Sequence, residues 1–315
     1  MSFGVYWKSA CQAITEVDEL CRILAIPQRS SVRTDYPLLV PRPFVDLMER
    51  GNPNDPLLLQ VLPRPDEEQT VSGFSKDPLD EIADADGGTA LNKYAGRTLL
   101  LASQECGIHC RFCFRRHFPK TNYDLETLLT PVQHNTSTEE VILSGGDPLM
   151  LDDAPLDRLL QAILRIKHIQ RIRIHSRLPI VLPNRLTPKL AKILTLPIPV
   201  YLVLHINHPN ELSREFLERR ELLSKPVLLA QTVLLRQINN DAETLYRLFN
   251  RLIDARILPY YLHQLDRVAG AAHFEVLPEK GLTLLSNLRN RLPGYAVPVY
   301  VREVGGKTCK EVIME

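Results

Sequence analysis

Apolar and polar positions along this chain fall into two textures, and the change comes near Thr98. Downstream, short apolar runs of strand length take turns with longer stretches in which apolar residues recur every three or four positions. That is the pattern of buried parallel strands covered by amphipathic helices. The predicted strands are 98–103 (TLLLAS), 141–144 (VILS), 171–176 (RIRIHS), 200–206 (VYLVLHI), 227–235 (VLLAQTVLL, with Gln231 interrupting it), 259–264 (PYYLHQ) and 298–304 (PVYVREV). Between them lie the helical patterns APLDRLLQAILRIK, SREFLERREL, DAETLYRLFNRLIDA and the stretch from Glu279 to Arg291. Repeated strand–helix units predict an α/β barrel or partial barrel, although an open doubly wound sheet would give a similar string. The polar residues favour the barrel. The cysteine run, SGGDP, Ser176-Arg177, His205-x-Asn207-His208, Gln264-x-Asp266 and Glu303 each follow a strand, and in a barrel those strand ends converge on one mouth.

Upstream, residues 1–95 are broken by prolines and turns, as in PRPF (41–44), NPNDP (52–56), LPRP (62–65) and KDPLDE (76–81). One helical pattern stands out, from Trp7 to Leu24, with Ile14, Val17, Cys21 and Leu24 on one face. Residues 1–95 are expected to form a helical, proline-rich cap and residues 96–315 the α/β unit.

With 38 basic and 37 acidic side chains, no overall field draws the protein to nucleic acid or an anionic membrane. No run approaches the ~18 apolar residues of a membrane span, and MSFGVYWKSACQ lacks the apolar core of a signal peptide. A cytoplasmic protein is expected. The six cysteines, at 11, 21, 106, 110, 113 and 309, make no disulfide framework in a chain this long, and a reducing compartment suits a thiolate cluster. Cys11 and Cys21 are expected simply to pack.

Three of those cysteines sit in ECGIHCRFCFRRHF (105–118). Thiolates at this spacing can hold zinc or an iron–sulfur cluster. Zinc needs a closed tetrahedron, which His109 or His117 could complete, but zinc modules usually bring their ligands as two separated pairs. Cys106, Cys110 and Cys113 fit better as three corners of a [4Fe–4S] cube, with the fourth iron left open. A zinc-binding structural or nucleic-acid-binding module is the competing reading. In SGGDP (144–148), adjacent glycines let backbone approach a ligand and the carboxylate can receive an ammonium, though alone it is an ordinary turn.

Cys-x3-Cys-x2-Cys after the first strand of a βα repeat matches the signature of the radical S-adenosylmethionine (SAM) superfamily. Together LNKYAGRTLLL, CGIHCRFCFRRHF, VILSGGDPL, IRIHSRLPIVLPNRLT, HINHPNE, QTVLLRQIN, HQLDRVAGAAHF and GYAVPVYVREVGGKTCK resemble the lysine 2,3-aminomutase family, almost continuously over residues 91–310. The segment DYPLLVPRPFVDLMERGNPNDPLLLQVLP is similar to a short bacterial branch that makes (R)-β-lysine for elongation factor P. The resemblance implies an α/β fold: a partial TIM-type (β/α)6 radical SAM barrel with an N-terminal helical extension. It implies an isomerase that uses a [4Fe–4S] cluster, SAM and pyridoxal 5'-phosphate (PLP) to convert (S)-α-lysine to (R)-β-lysine. L-lysine is then the substrate, a flavodoxin- or ferredoxin-type protein the electron donor, and elongation factor P with its lysine ligase the functional destination. A different amino-acid aminomutase or another radical SAM enzyme is the alternative.

Residue roles follow from the same resemblance. Gly145, Gly146 and Asp147 are implied to contact SAM; Phe112, between the last two cysteines, is expected either to contact its adenine or to pack in the core. Arg177 is implied to hold the PLP phosphate, with Gln231 beside the ring and Lys310 as the Schiff-base lysine. Lys307 is runner-up, because Lys307, Thr308 and Cys309 stand where longer members carry glycines. Arg115 corresponds to the substrate-carboxylate clamp, while Arg116 is expected to be structural. Asp266 and Glu303 fall on the positions that hold lysine's ε-ammonium, whose burial requires anions. Glu303 is an aspartate in better known members, so the pocket is expected to differ by one methylene. His205, Asn207 and His208 are expected to order the barrel mouth as satisfied core residues.

Overall fold

The structure, a computed structural model, describes residues 7–27, 32, 34–84, 89–119 and 124–314. One nine-stranded sheet organises them, with strands in chain order: β1 (Ala90–Tyr94), β2 (Arg97–Ser103), β3 (Glu140–Gly145), β4 (Arg171–Ser176), β5 (Val200–His205), β6 (Val227–Val233), β7 (Leu258–His263), β8 (Val299–Arg302) and β9 (Glu311–Val312). Every neighbouring pair from β2 to β8 is parallel. Antiparallel β1 and β9 flank this run, and the sheet is open, ending at those two strands. Strand order never reverses, so the switch point that defines a doubly wound sheet is missing, and that alternative is set aside.

All seven predicted strands are present within two residues of their expected ends. Their Val, Ile and Leu side chains are buried, as in Val141, Leu143, Ile172, Ile174 and Leu202. β1 escaped the sequence reading because ALNKY is short and broken by Asn92 and Lys93; it turns back at Gly96, whose φ is +72°. Predicted helices are found as α1 (Val17–Leu24), α3 (Asp153–Leu164), α4 (Arg214–Arg220), α5 (Ala242–Asp254) and α6 (Pro278–Arg289). An unpredicted helix, α2 (Leu125–His134), joins β2 to β3. It carries Pro131 in its interior, and its start is capped by Asp124, which accepts from Thr127 N at 2.8 Å.

The expected helix from Trp7 to Leu24 is corrected. It is a single 3-10 turn at Trp7–Ala10 followed by α1, because Ile14 exchanges two backbone hydrogen bonds with Val40 (2.8 and 3.0 Å) and draws the intervening chain off the helical path. The cap is packed into the sheet unit: Leu20, Phe44 and Leu58 share one buried cluster with Leu100, Leu143 and Leu204. An ionic clasp reinforces this. Fully buried Arg111 donates from Nε to Glu67 Oε1 at 2.8 Å, and Arg116 reaches Glu67 Oε2 at 2.9 Å. No helix among the described residues is long and apolar enough to cross a membrane.

Candidate functional site

Because β2 to β8 run parallel in register, their C-terminal ends share one edge, and the residues that follow them line one pocket. Cys106, Cys110 and Cys113 face it from the loop after β2. That loop is a series of turns, with Cys113 N bonded to Cys110 O (3.1 Å), and it is pinned to the cap where His109 N meets Leu39 O and Arg111 N meets Gln60 O, both at 2.9 Å. His109 stacks on Tyr36 with centroids 4.6 Å apart and turns Nδ1 to Pro37 O; His117 turns Nε2 to Ala269 O. Both histidines that might have completed a zinc tetrahedron are thus engaged with backbone carbonyls. Burial raises the Cys110 and Cys113 thiols, Cys113 to about 11 with the neighbouring Cys110 adding to it. Arg177 opposes this at Cys110, its Nη1 lying 2.7 Å from the sulfur. Three sulfurs beside a cation are the donor chemistry of an iron–sulfur cluster; among the described residues no group of three or more His, Cys, Asp and Glu side chains is arranged to hold a metal ion.

The turn after β3 needs glycine for a steric reason. Gly145 has φ +107°, and a Cβ there would crowd Ser103 O and stand 3.1 Å from Leu101 Cα. At Gly146 a Cβ would stand 2.8 Å from the carbonyl carbon of Glu105. The two glycines let this turn lie against the strand that leads into the cysteines, with Gly146 N on Ser103 O (2.6 Å) and Asp147 N on Glu105 O (2.7 Å). Asp147 lines the pocket, but its carboxylate is already supplied with donors: Ser176 Oγ (2.7 Å), Leu149 N (3.0 Å), and the amides of Arg177 and Leu178 (each 2.8 Å). Burial raises this carboxyl despite those bonds.

Arg177 belongs to the cysteine side of the pocket. Its Nη2 donates to Gln60 Oε1 (2.6 Å) and Glu211 Oε2 (3.1 Å), and its guanidinium lies 5.6 Å from the centroid of Phe112. Gln60, from the cap, also receives Asn207 Nδ2 at 3.0 Å. Asn207 in turn accepts from Val233 N and contacts His205 Nε2. His205, Asn207 and His208 therefore sit in a satisfied network at the mouth, and burial keeps His205 neutral, well below the usual histidine range.

The same pocket is lined by Lys310, Glu303, Asp266 and Gln231. Lys310 Nζ pairs with Glu303, which also accepts from Tyr94 and lies 3.0 Å from Lys93. Burial alone would raise the Glu303 carboxyl, but Lys310, Tyr94 and Lys93 hold it at about 2. Asp266 is the opposite case: enclosure lifts it to about 7, Lys310 pulls it down, and Glu303 and Glu81 push it up. Lys307, the runner-up lysine, is exposed outside the pocket. Arg115, two residues beyond Cys113, also lines it, donating to Ser144 Oγ (3.2 Å) and pairing with Glu81.

The structure thus gathers the three cysteines, Phe112, Arg115, Gly145, Gly146, Asp147, Arg177, Gln231, Asp266, Glu303 and Lys310 onto one pocket, leaves Lys307 outside it, and adds residues the sequence reading passed over: Glu81, Lys93, Arg97, Arg173, His175 and His263. Some were signalled. In RIRIHS the polar positions 171, 173 and 175 alternate with buried Ile172 and Ile174, so Arg173 and His175 share one face of β4. Burial and nearby cations keep His175 well below the usual range, and His263 falls to about 3.

No family model matches the chain. Curated proteins do. It is 44% identical over 313 residues to "L-lysine 2,3-aminomutase" of Escherichia coli (strain K12), covering 94% of this chain and 91% of that protein. The Haemophilus influenzae protein of that name is 39% identical, covering 96% of this chain and 94% of its own length. That of Clostridium subterminale is 34% identical over 276 residues, 84% of this chain and 66% of that protein. Identity at this level over nearly the whole length, with the three cysteines and the opposed lysine on one pocket, establishes that the chain belongs to the L-lysine 2,3-aminomutase family and is an aminomutase, an isomerase of the radical SAM type.

Proposed function

We propose that the protein is a PLP-dependent L-lysine 2,3-aminomutase that converts (S)-α-lysine to (R)-β-lysine for the modification of elongation factor P. The observation that carries this reading is the lining of one pocket: three thiols together with a lysine set among two carboxylates. When bound, the cluster and SAM supply one-electron hydrogen abstraction, and PLP supplies conjugation for the migrating nitrogen. The chain's share is positioning and exclusion of water.

In this reading Cys106, Cys110 and Cys113 hold the cluster, the Gly145–Gly146 backbone receives SAM, and Phe112 offers it an aromatic wall. Asp147 acts by anchoring the amides of residues 177 and 178 rather than as a free carboxylate. Lys310 carries PLP beside Gln231. The phosphate is assigned to Arg177, whose Nε is buried without a partner although Nη1 and Nη2 meet Cys110, Gln60 and Glu211, with Lys93 and Arg97 as further cations lining the pocket. Arg115 takes the substrate carboxylate, and Asp266 and Glu303 take its ε-ammonium. Curling of the open sheet into a partial barrel, capped by the chain before β1, accounts for one pocket drawing on all the parallel strands. Thiolates kept reduced suit the cytoplasm, and a flavodoxin- or ferredoxin-type donor would reduce the cluster.

The test is anaerobic reconstitution with iron, sulfide and PLP, followed by incubation with L-lysine, SAM and a reductant. The expected product is β-lysine with SAM conserved. Net SAM consumption, or stoichiometric zinc in place of iron, would refute the reading.

A further inference from the structure

On the side of the pocket nearest the cap stands a carboxylate with no part in the assignments above. Glu81 opens a single helical turn (Glu81–Asp84), and its amide and that of Ile82 are capped by Asp77 at 3.1 and 2.9 Å. The segment is fastened just upstream: Ser75 N bonds Arg267 O (3.0 Å) and Ala269 N bonds Ser75 O (2.8 Å), on the loop that also carries Asp266. Glu81 is only 6% exposed and lines the pocket. Its Oε2 accepts from Arg115 Nε at 2.9 Å and lies 2.8 Å from Nη2, while Arg115 Nη1 donates to Ser144.

A guanidinium has five N–H donors in one plane. Glu81 and Ser144 take three from Arg115, leaving one on each terminal nitrogen. With Glu81 on the Nε–Nη2 flank, the edge shared by Nη1 and Nη2 is the one left for a carboxylate to meet end-on. We propose that Glu81 is a positioning residue for the substrate carboxylate: it holds Arg115 by the flank so that its open fork faces the pocket. The inference rests on the lysine reading, in which Arg115 binds the carboxylate of an α-amino acid. The Glu81 charge also offsets the guanidinium, so the fork selects by direction more than by net attraction.

Two near-isosteric variants separate these effects. Glu81→Gln keeps an acceptor at the same reach and drops the charge; Glu81→Leu keeps the bulk and drops the acceptor. Calorimetry on the PLP-loaded protein would compare L-lysine with 1,5-diaminopentane, the same chain without a carboxylate, alongside kcat and KM for L-lysine. Glu81→Gln is expected to keep kcat within about threefold and to shift the binding preference about threefold or more towards L-lysine relative to 1,5-diaminopentane. Glu81→Leu is expected to lose about tenfold or more in kcat. A Leu variant equal to wild type overturns the inference, as does a Gln variant as impaired as Leu. If Leu fails to fold, the Gln variant decides: an unaltered preference for L-lysine over 1,5-diaminopentane overturns it. Wild-type protein that isomerises another α-amino acid refutes the lysine reading alone; that acid and its decarboxylated amine then replace the pair.

Discussion

Replacing Asp266 by Asn should make the cofactor-free protein more stable while removing an anchor for lysine. The pocket wall lifts this carboxyl from 3.8 to about 7. A carboxyl whose pKa is higher in the folded than in the unfolded state retains its proton on folding, so ionising it costs stability. The cost is absent below about pH 4, grows as pH rises through the window between the two values, and is complete above about pH 7. Three units at ~1.4 kcal/mol each set an upper bound of roughly 4 kcal/mol, which reorganisation of the nearby Lys310 and Glu303 charges will reduce. The unfolding free energy of Asp266→Asn should therefore exceed that of wild type, and the gap should widen by about 2–3 kcal/mol between pH 5 and pH 8. Urea titrations of both proteins at both pH values measure it. A gap that is constant, or that narrows at high pH, would refute the reasoning. The same ionisation should appear in turnover: kcat/KM for lysine is expected to rise through about pH 7 as Asp266 becomes the anion the ε-ammonium needs.

Gly146→Ala would push a Cβ against the backbone of Gln104 and Glu105, just before Cys106, and should lower iron uptake on reconstitution; full iron content would count against the steric argument. Glu67→Ala strips the anion from buried Arg111 and Arg116 and should cost about 3–5 kcal/mol in urea unfolding. A loss under about 1 kcal/mol would show that the clasp is dispensable. Borohydride should fix PLP to a peptide containing Lys310 and not in Lys310→Ala, whereas labelling through Lys307 would overturn the choice made from pocket geometry.

The amino-acid order by itself determined where the parallel strands lie, which cysteines act together and which acidic and basic residues follow strand ends. Those features are local: a run of β-branched and leucine side chains, a cysteine spacing, a glycine pair. It also pointed to an inward polar face on β4 through the alternation in RIRIHS, a signal present but unread. Other features could not be read locally. Arg177 meets Gln60 across 117 positions, and Arg115 meets Glu81 across 34. A guanidinium looks alike in sequence whether it awaits a phosphate or is already paired, and only the packing of the cap against the strand ends decides which donors stay free. Asp147 makes the same point, since three of its four donors, Ser176 Oγ and the amides of Arg177 and Leu178, come from residues 29 to 31 positions away. Tertiary structure thus set the division of labour within the pocket, because burial leaves each polar group to be satisfied by whichever partner the fold brings to it.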